Sequence, residues 1–199
     1  MEFHIKNRIK PDAKILLIKL RSIGDVVYNT AVYSPIKKHL PNARLTVLVE
    51  SPSFEIVKNN PDIDEVLCFK KGTFFEQVKF YIKLISKRYD VAIDMHEGTR
   101  GAVMCFLSFA RFKIGGKFAR RSFLYNTKIN FSDLKPTVPL DYQVALISKL
   151  GVPFENPQPI IHVSDEWRKR AHDLLTSKNF DPEKPYCIIH PGARKYDQW

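Results

Sequence analysis

The stretch "KILLIKLRSIGDVVYNTAVYSPIKKHLP", Lys14–Pro41, decides the fold. Its apolar run, Lys14–Leu20, reads as a short buried strand. A polar turn follows. From Asp25 onward Val26, Val27, Thr30, Ala31 and Ile36 fall near helical spacing. Pro35 is expected to kink that helix or to start a new turn. The turn itself, "RSIGD", has one glycine. It is therefore neither the dinucleotide pattern G-x-G-x-x-G nor the phosphate loop G-x-x-x-x-G-K-[ST]. An acid, Asp25, stands where a phosphate-binding loop would carry glycines.

Two roles for Asp25 fit the local chemistry. As a helix cap it stabilises the N-terminus by about 1 kcal/mol. As a general base it takes a proton from a substrate hydroxyl at the mouth of the sheet. The positive end of a helix favours a negative charge, which suits either role.

Outward from this unit, strand and helix patterns alternate. "ARLTVLVE", "DEVLCF" and "YDVAIDM" read as strands; "PSFEIVKNN", residues 74–88 and "GTRGAVMCFLSFA" read as helices. "RFKIGG" reads as a further strand, and residues 116–139 as basic and irregular. "PLDYQVALISKLGV" is a helix closed by Gly151. After Pro-rich "PFENPQP", a helix starts on the N-cap Ser164, and "PYCIIHPGA" reads as a last strand. Such alternation predicts an α/β fold: a Rossmann-like parallel sheet with helices on both faces. The expected divisions are a loose polar lead-in at 1–13, a domain at 14–152, a linker at 153–163, and the opening of a second domain at 164–199.

Ligands of such sheets bind outside the carboxyl ends of the strands. That rule selects Arg21–Asp25, Met95–Arg100 and His190–Lys195. In the second segment Asp94, His96, Glu97 and Arg100 cluster, either as a polar loop with a helix cap or as a site where Arg100 clasps an anion. No second cluster of ligands accompanies it, so no metal site is expected.

The formal net charge is +11, which points to an anionic partner. Arg111, Lys113, Lys117, Arg120 and Arg121 are interleaved with aromatics. They read as a solvated face, as a surface for phosphorylated glycan, or, least favoured, as a nucleic-acid surface. Three widely spaced cysteines, Cys68, Cys105 and Cys187, lie in apolar runs and read as reduced, buried thiols of a cytoplasmic protein. The opening "MEFHIKNRIKPD" is polar, and no apolar run approaches a membrane span. Membrane contact, if made, is expected to be peripheral.

Taken in order, "LLIKLRSIGDVVYNTAVYSPIKKHLPNARLTVLV", "YDVAIDMHEGTRGAVMCFLSFAR", "LDYQVALISKLGV" and "IIHPGARKYDQW" resemble glycosyltransferase family 9, the lipopolysaccharide heptosyltransferases. The resemblance covers nearly the whole chain from Lys14 on. The S-x-G-D turn followed by a threonine is its most specific part. The resemblance implies the GT-B architecture, two Rossmann-like domains with the acceptor in the first and the nucleotide-sugar in the second. It implies inverting, metal-independent transfer from ADP-heptose, a substrate and not a cofactor, to a lipopolysaccharide core acceptor. The family's catalytic Asp falls on Asp25, flanked by Ser22 and Gly24 as acceptor contacts. Arg100, Lys70, Lys71, Arg120 and Arg121 are expected to face acceptor phosphates and sugar-acid carboxylates. Gly192, Ala193, Arg194 and Lys195 are expected at the donor diphosphate, although Asp197 stands where the family often has a basic residue. On this reading the chain is an acceptor half, inactive alone, at the cytosolic face of a bacterial inner membrane. The alternative from another class is a non-catalytic binding module for an acidic glycolipid. No nucleic-acid partner is expected, and nothing in the sequence speaks to oligomeric state.

Overall fold

The computed structural model describes residues 5–133 and 138–189. Six strands form one parallel sheet: β1 (Lys14–Ile18), β2 (Arg44–Glu50), β3 (Glu65–Phe69), β4 (Val91–Asp94), β5 (Phe112–Gly116) and β6 (Thr127–Ile129). Their spatial order is β3-β2-β1-β4-β5-β6. The order reverses between β1 and β4, with Ile15 opposite both Leu45 and Val91. A crevice opens at such a reversal, beyond the carboxyl ends of the strands.

The helices of this unit are α1 (Ile23–His39), α2 (Phe54–Val57), α3 (Phe74–Ser86), α4 (Thr99–Leu107) and α5 (Pro139–Ser148). Side-chain alternation along the strands assigns them to two layers. Ile15 and Leu17 face one core with Leu45, Val47 and Ile93, which α1 and α5 cover through Tyr33, Ile36, Leu146 and Ile147. Leu16 and Ile18 face the other with Leu48 and Ala92, which α3 and α4 cover through Leu84, Met104 and Cys105. Central strands buried on both faces read as nearly continuous apolar runs, which is why "KILLI" and "RLTVLVE" lack a regular polar alternation.

Several local expectations are corrected. No new turn starts at Pro35, because α1 continues through it as one helix. Proline removes one hydrogen bond of the helix ladder, but Val32, Tyr33 and Ile36 are fully buried around it and hold the last turns in place. The lead-in is not loose over its described part. Ile5 is fully buried, and its N–H donates to the Lys149 carbonyl at 2.8 Å. Residues 116–139 are not wholly irregular, because Thr127–Ile129 pairs with β5. Three residues are too few to show a period. Cys105 is buried, but Cys68 is half-buried and Cys187 exposed.

The chain divides into two compact units, Met1–His162 and Val163–Trp199. In the second, α6 (Asp165–Ser177) begins where Ser164 Oγ accepts the Trp167 N–H at 3.4 Å. Pro185–Ile189 forms no strand, and Ile188 and Ile189 are exposed. A strand needs a neighbour to satisfy its backbone, and the described residues of this unit offer none. The rest of the expected strand lies outside the described residues.

Candidate active site

The expected residues of the first unit gather at one edge of the sheet because every parallel strand ends there. Ser22, Gly24 and Asp25 follow β1; Lys70 and Lys71 follow β3; Arg100 follows β4; Arg120 and Arg121 follow β5. Gly192, Ala193, Arg194 and Lys195 lie outside the described residues.

Asp25 sits in the first turn of α1, its side chain 41% exposed. Its Oδ2 accepts the Ser22 N–H at 3.3 Å, so the capping role is present. The same oxygen lies 3.5 Å from Lys19 Nζ. Lys19 is anchored in turn, donating to the Met95 carbonyl at 2.9 Å in the loop after β4. On the other side, Gln143 Nε2 of α5 reaches the Asp25 backbone carbonyl at 3.4 Å. Two segments distant in sequence, the loop after β4 and α5, thus meet at this turn. A methyl group added at Gly24 would meet nothing, which leaves the turn open to an incoming ligand.

A cavity of about 210 Å³ opens beside it, at the reversal of strand order. Lys19, His96, Glu97, Tyr142 and Gln143 contribute its polar lining. Burial, aided by Lys19 and Arg21, pushes the His96 imidazole below its ordinary pKa. Burial raises the Glu97 carboxyl, with Lys19 opposing. The lining therefore sets an imidazole, a phenol and an amide beside one carboxyl and one lysine, a set of hydrogen-bonding groups that can meet sugar hydroxyls. The larger cavity, about 440 Å³ and lined by Pro35, Lys38, His39, Pro153 and Glu155, lies at the other end of α1 from Asp25.

Asp94 takes the structural reading of its loop. It is fully buried at the end of β4, and its Oδ1 accepts the N–H groups of His96 at 2.9 Å and Glu97 at 3.2 Å. Tyr125 Oη donates to Oδ2 at 2.6 Å. Burial outweighs these bonds and pushes the Asp94 carboxyl up to about 6. Its neighbour Tyr125 is raised far above the usual phenol range by burial and by Asp94. Arg100 already holds an anion: it donates to Glu50 Oε1 at 2.6 Å, and its guanidinium lies 5.4 Å from the centre of the Phe69 ring. Lys70, Lys71, Arg120 and Arg121 are exposed at the same edge. Among the described residues no group of three or more His, Cys, Asp or Glu is arranged to hold a metal ion.

Lys19, Tyr142 and Gln143 were not anticipated as site residues. For Lys19 the available signal was a lone charge inside "LLIKL". Tyr142 and Gln143 lie on an ordinary amphipathic helix and carry no such signal.

An open α/β sheet with a crevice at its order reversal is the class of fold whose ligands bind beyond the carboxyl ends of the strands. Comparison with known proteins narrows the class. The sequence profile of glycosyltransferase family 9 (heptosyltransferase) matches residues 78–198. The chain belongs to this family. It is 26% identical over 188 residues to lipopolysaccharide heptosyltransferase 3 of Escherichia coli (strain K12), covering 88% of this chain and 53% of that one. It is 24% identical over 187 residues to the lipopolysaccharide core heptosyltransferase OpsX of Haemophilus influenzae, covering 92% and 52%. The fold matches a family 9 glycosyl transferase from Veillonella parvula DSM 2008 with a TM-score of 0.73 at 21% identity, over 86% of this chain and 51% of that one. It also matches E. coli heptosyltransferase WaaC, solved with ADP-2-deoxy-2-fluoro heptose, with a TM-score of 0.64 at 20% identity, over 73% and 51%. The chain spans about half the length of the relatives it matches.

Proposed function

We propose that this chain carries the acceptor-binding half of an inverting glycosyltransferase that moves heptose from ADP-heptose onto a lipopolysaccharide core. The observation that carries the reading is the placement of Asp25. Its carboxylate is half-exposed at the carboxyl edge of β1, braced by Lys19, beside a crevice to which Lys19, His96, Glu97, Tyr142 and Gln143 contribute polar groups. Asp25 takes the proton from the acceptor hydroxyl as that oxygen bonds to the anomeric carbon. The bond from that carbon to the diphosphate oxygen breaks on the opposite side, and ADP leaves with the electron pair. The anomeric centre is inverted. Positioned dipoles and cations stabilise the leaving diphosphate without a metal. Gly192–Lys195 is the segment of this chain assigned to that task.

In this reading residues 14–152 form the acceptor domain, 153–163 the linker, and 164–199 the opening of the donor domain. Ser22 and Gly24 contact the acceptor hydroxyl region, and Lys70, Lys71, Arg120 and Arg121 its phosphates and sugar-acid carboxylates. Arg100 joins them only by exchanging Glu50 for a ligand anion. The protein works at the cytosolic face of a bacterial inner membrane, and residues 1–199 alone bind acceptor without transferring sugar.

The test uses the protein isolated from its native host, its intact mass compared with the 23.1 kDa of 199 residues. It is given ADP-heptose and a core glycolipid, and the product's anomeric configuration is read by NMR. An inverted heptoside supports the proposal. A retained configuration overturns the single-displacement mechanism. Acceptor binding without transfer in the longest native form favours the non-catalytic glycolipid-binding module.

A further inference from the structure

The layer formed by α3, α4 and the short helix Ser122–Leu124 presents apolar side chains to solvent on a strongly basic background. On α3, Phe74, Phe75, Val78 and Ile82 are exposed, Phe75 by 82%. Their spacing places them within about 100° of arc on one helix face. The opposite side is the packed one, where Leu84 is fully buried. Phe106 and Phe109 at and just after the end of α4, and Phe118 and Phe123 after β5, are exposed as well. α3 is well formed without an external partner: Thr73 Oγ1 accepts the Glu76 N–H at 3.4 Å, and Glu76 Oε2 accepts the Thr73 N–H at 2.7 Å.

Charge decides what fits such a surface. Lys70, Lys71, Lys79 and Lys83 flank the α3 stripe and are exposed. Between Lys70 and Arg88 the one acid is Glu76, and its carboxylate is engaged at the helix's own N-terminus. Between Phe106 and Leu124 there is no acid, while Arg111, Lys117, Arg120 and Arg121 are exposed. A second copy of this surface would be repelled by like charge. An amphipathic helix with bulky apolar residues beside lysines is the pattern that lies in the headgroup region of an anionic bilayer. We propose that this face docks on a membrane surface rich in anionic lipid, with the α3 phenylalanines entering the acyl boundary and the lysines meeting the headgroups. Lys70–Lys71 and Arg120–Arg121 join this face to the strand-end edge that holds Asp25.

The inference is tested by sedimentation of residues 1–199 with vesicles of phosphatidylcholine alone and of phosphatidylcholine mixed with phosphatidylglycerol. The protein is expected to sediment with the mixed vesicles only. The pair Phe74→Ser and Phe75→Ser should weaken binding roughly ten-fold or more. Changing Lys70, Lys71, Lys79 and Lys83 to Gln should cost roughly five-fold per lysine. The pair Lys10→Gln and Lys38→Gln, both outside this face, with Lys38 on α1 across the sheet, serves as a charge control and should cost less per lysine. All of the changed positions are exposed, and circular dichroism checks the fold of each variant. Absence of binding to the mixed vesicles would overturn the proposal, as would lysine variants no weaker than the control or a serine pair that binds like the parent. Equal dependence of a generic oligonucleotide on Phe74 and Phe75 would overturn it in favour of nucleic acid. The vesicles contain neither glycolipid nor nucleotide-sugar, so this outcome and that of the transfer assay are independent.

Discussion

Lys19 bridges two loops at the carboxyl edge of the sheet: its Nζ lies 3.5 Å from Asp25 Oδ2 and 2.9 Å from the Met95 carbonyl. Its side chain is only 13% exposed. A lysine held so tightly orients the carboxylate it meets. Under the proposed function, Lys19→Met in the native protein is expected to lower the kcat of transfer roughly ten-fold with little change in KM, and Lys19→Arg to restore part of the loss. Positioning acts in the transition state, which is why the split falls on kcat. A rise in KM alone would assign Lys19 to substrate binding instead.

The cap and the base can be separated at Asp25. Asn keeps an oxygen that can accept the Ser22 N–H, so Asp25→Asn should leave unfolding of residues 1–199 nearly unchanged. Asp25→Ala should lose about 1 kcal/mol. Both should reduce transfer by roughly 10²–10⁴-fold, the usual worth of a general base. Near-normal transfer by Asp25→Asn would leave the residue with its capping role alone.

Asp94 makes stability depend on pH with a defined sign. Burial raises its folded pKa to about 6, above the value of about 3.9 for an unfolded Asp. The folded state therefore holds this proton more tightly. The resulting stabilisation is complete below about pH 3.9 and is lost as pH rises through about 6, a change of about 3 kcal/mol. Asp94→Asn lacks this titration but retains the neighbours His96 and Glu97. Denaturant unfolding of both proteins between about pH 4 and pH 7 should show the parent losing ground to the variant as pH rises. Parallel curves would show that Asp94 does not titrate in this window.

Two glycines should respond in opposite directions to alanine. In an open helix alanine is favoured over glycine by about 1 kcal/mol. At Gly101 of α4 a methyl group would run into the Asp94 carboxylate, which three hydrogen bonds hold in place. Gly101→Ala should therefore destabilise, by about 1–3 kcal/mol for the strain. At Gly24 nothing lies in the way, so Gly24→Ala should stabilise by up to about 1 kcal/mol. If the acceptor approaches that turn, the same change should weaken acceptor binding. Thermal unfolding and acceptor titration of the two variants check both statements.

The parallel sheet was legible because its inner strands are buried on both faces, and double burial makes "KILLI", "RLTVLVE" and "VAID" mostly apolar, interrupted only at Thr46 between their end residues. Asp25 was legible because a strand-to-helix turn with an acid in its first helical turn is a local pattern. β6 was not, since three residues show no period. The partner of Arg100 was hidden as well: Glu50 lies fifty positions away, and only the common direction of the strands brings their ends to one edge.

The sequence by itself determined the α/β class, and it singled out the strand-end edge and Asp25 as the expected site, because each reading depends on residues close together in the chain. Only the tertiary structure decided that Lys19 braces Asp25 against the Met95 loop. It likewise decided that Asp94 is a buried support, that Arg100 is already paired, and that α3 turns its phenylalanines to solvent. These outcomes depend on distances across strands and helices remote in sequence, and on which face of each helix the sheet covers. Packing sets both, and the spacing of residues along a single helix does not.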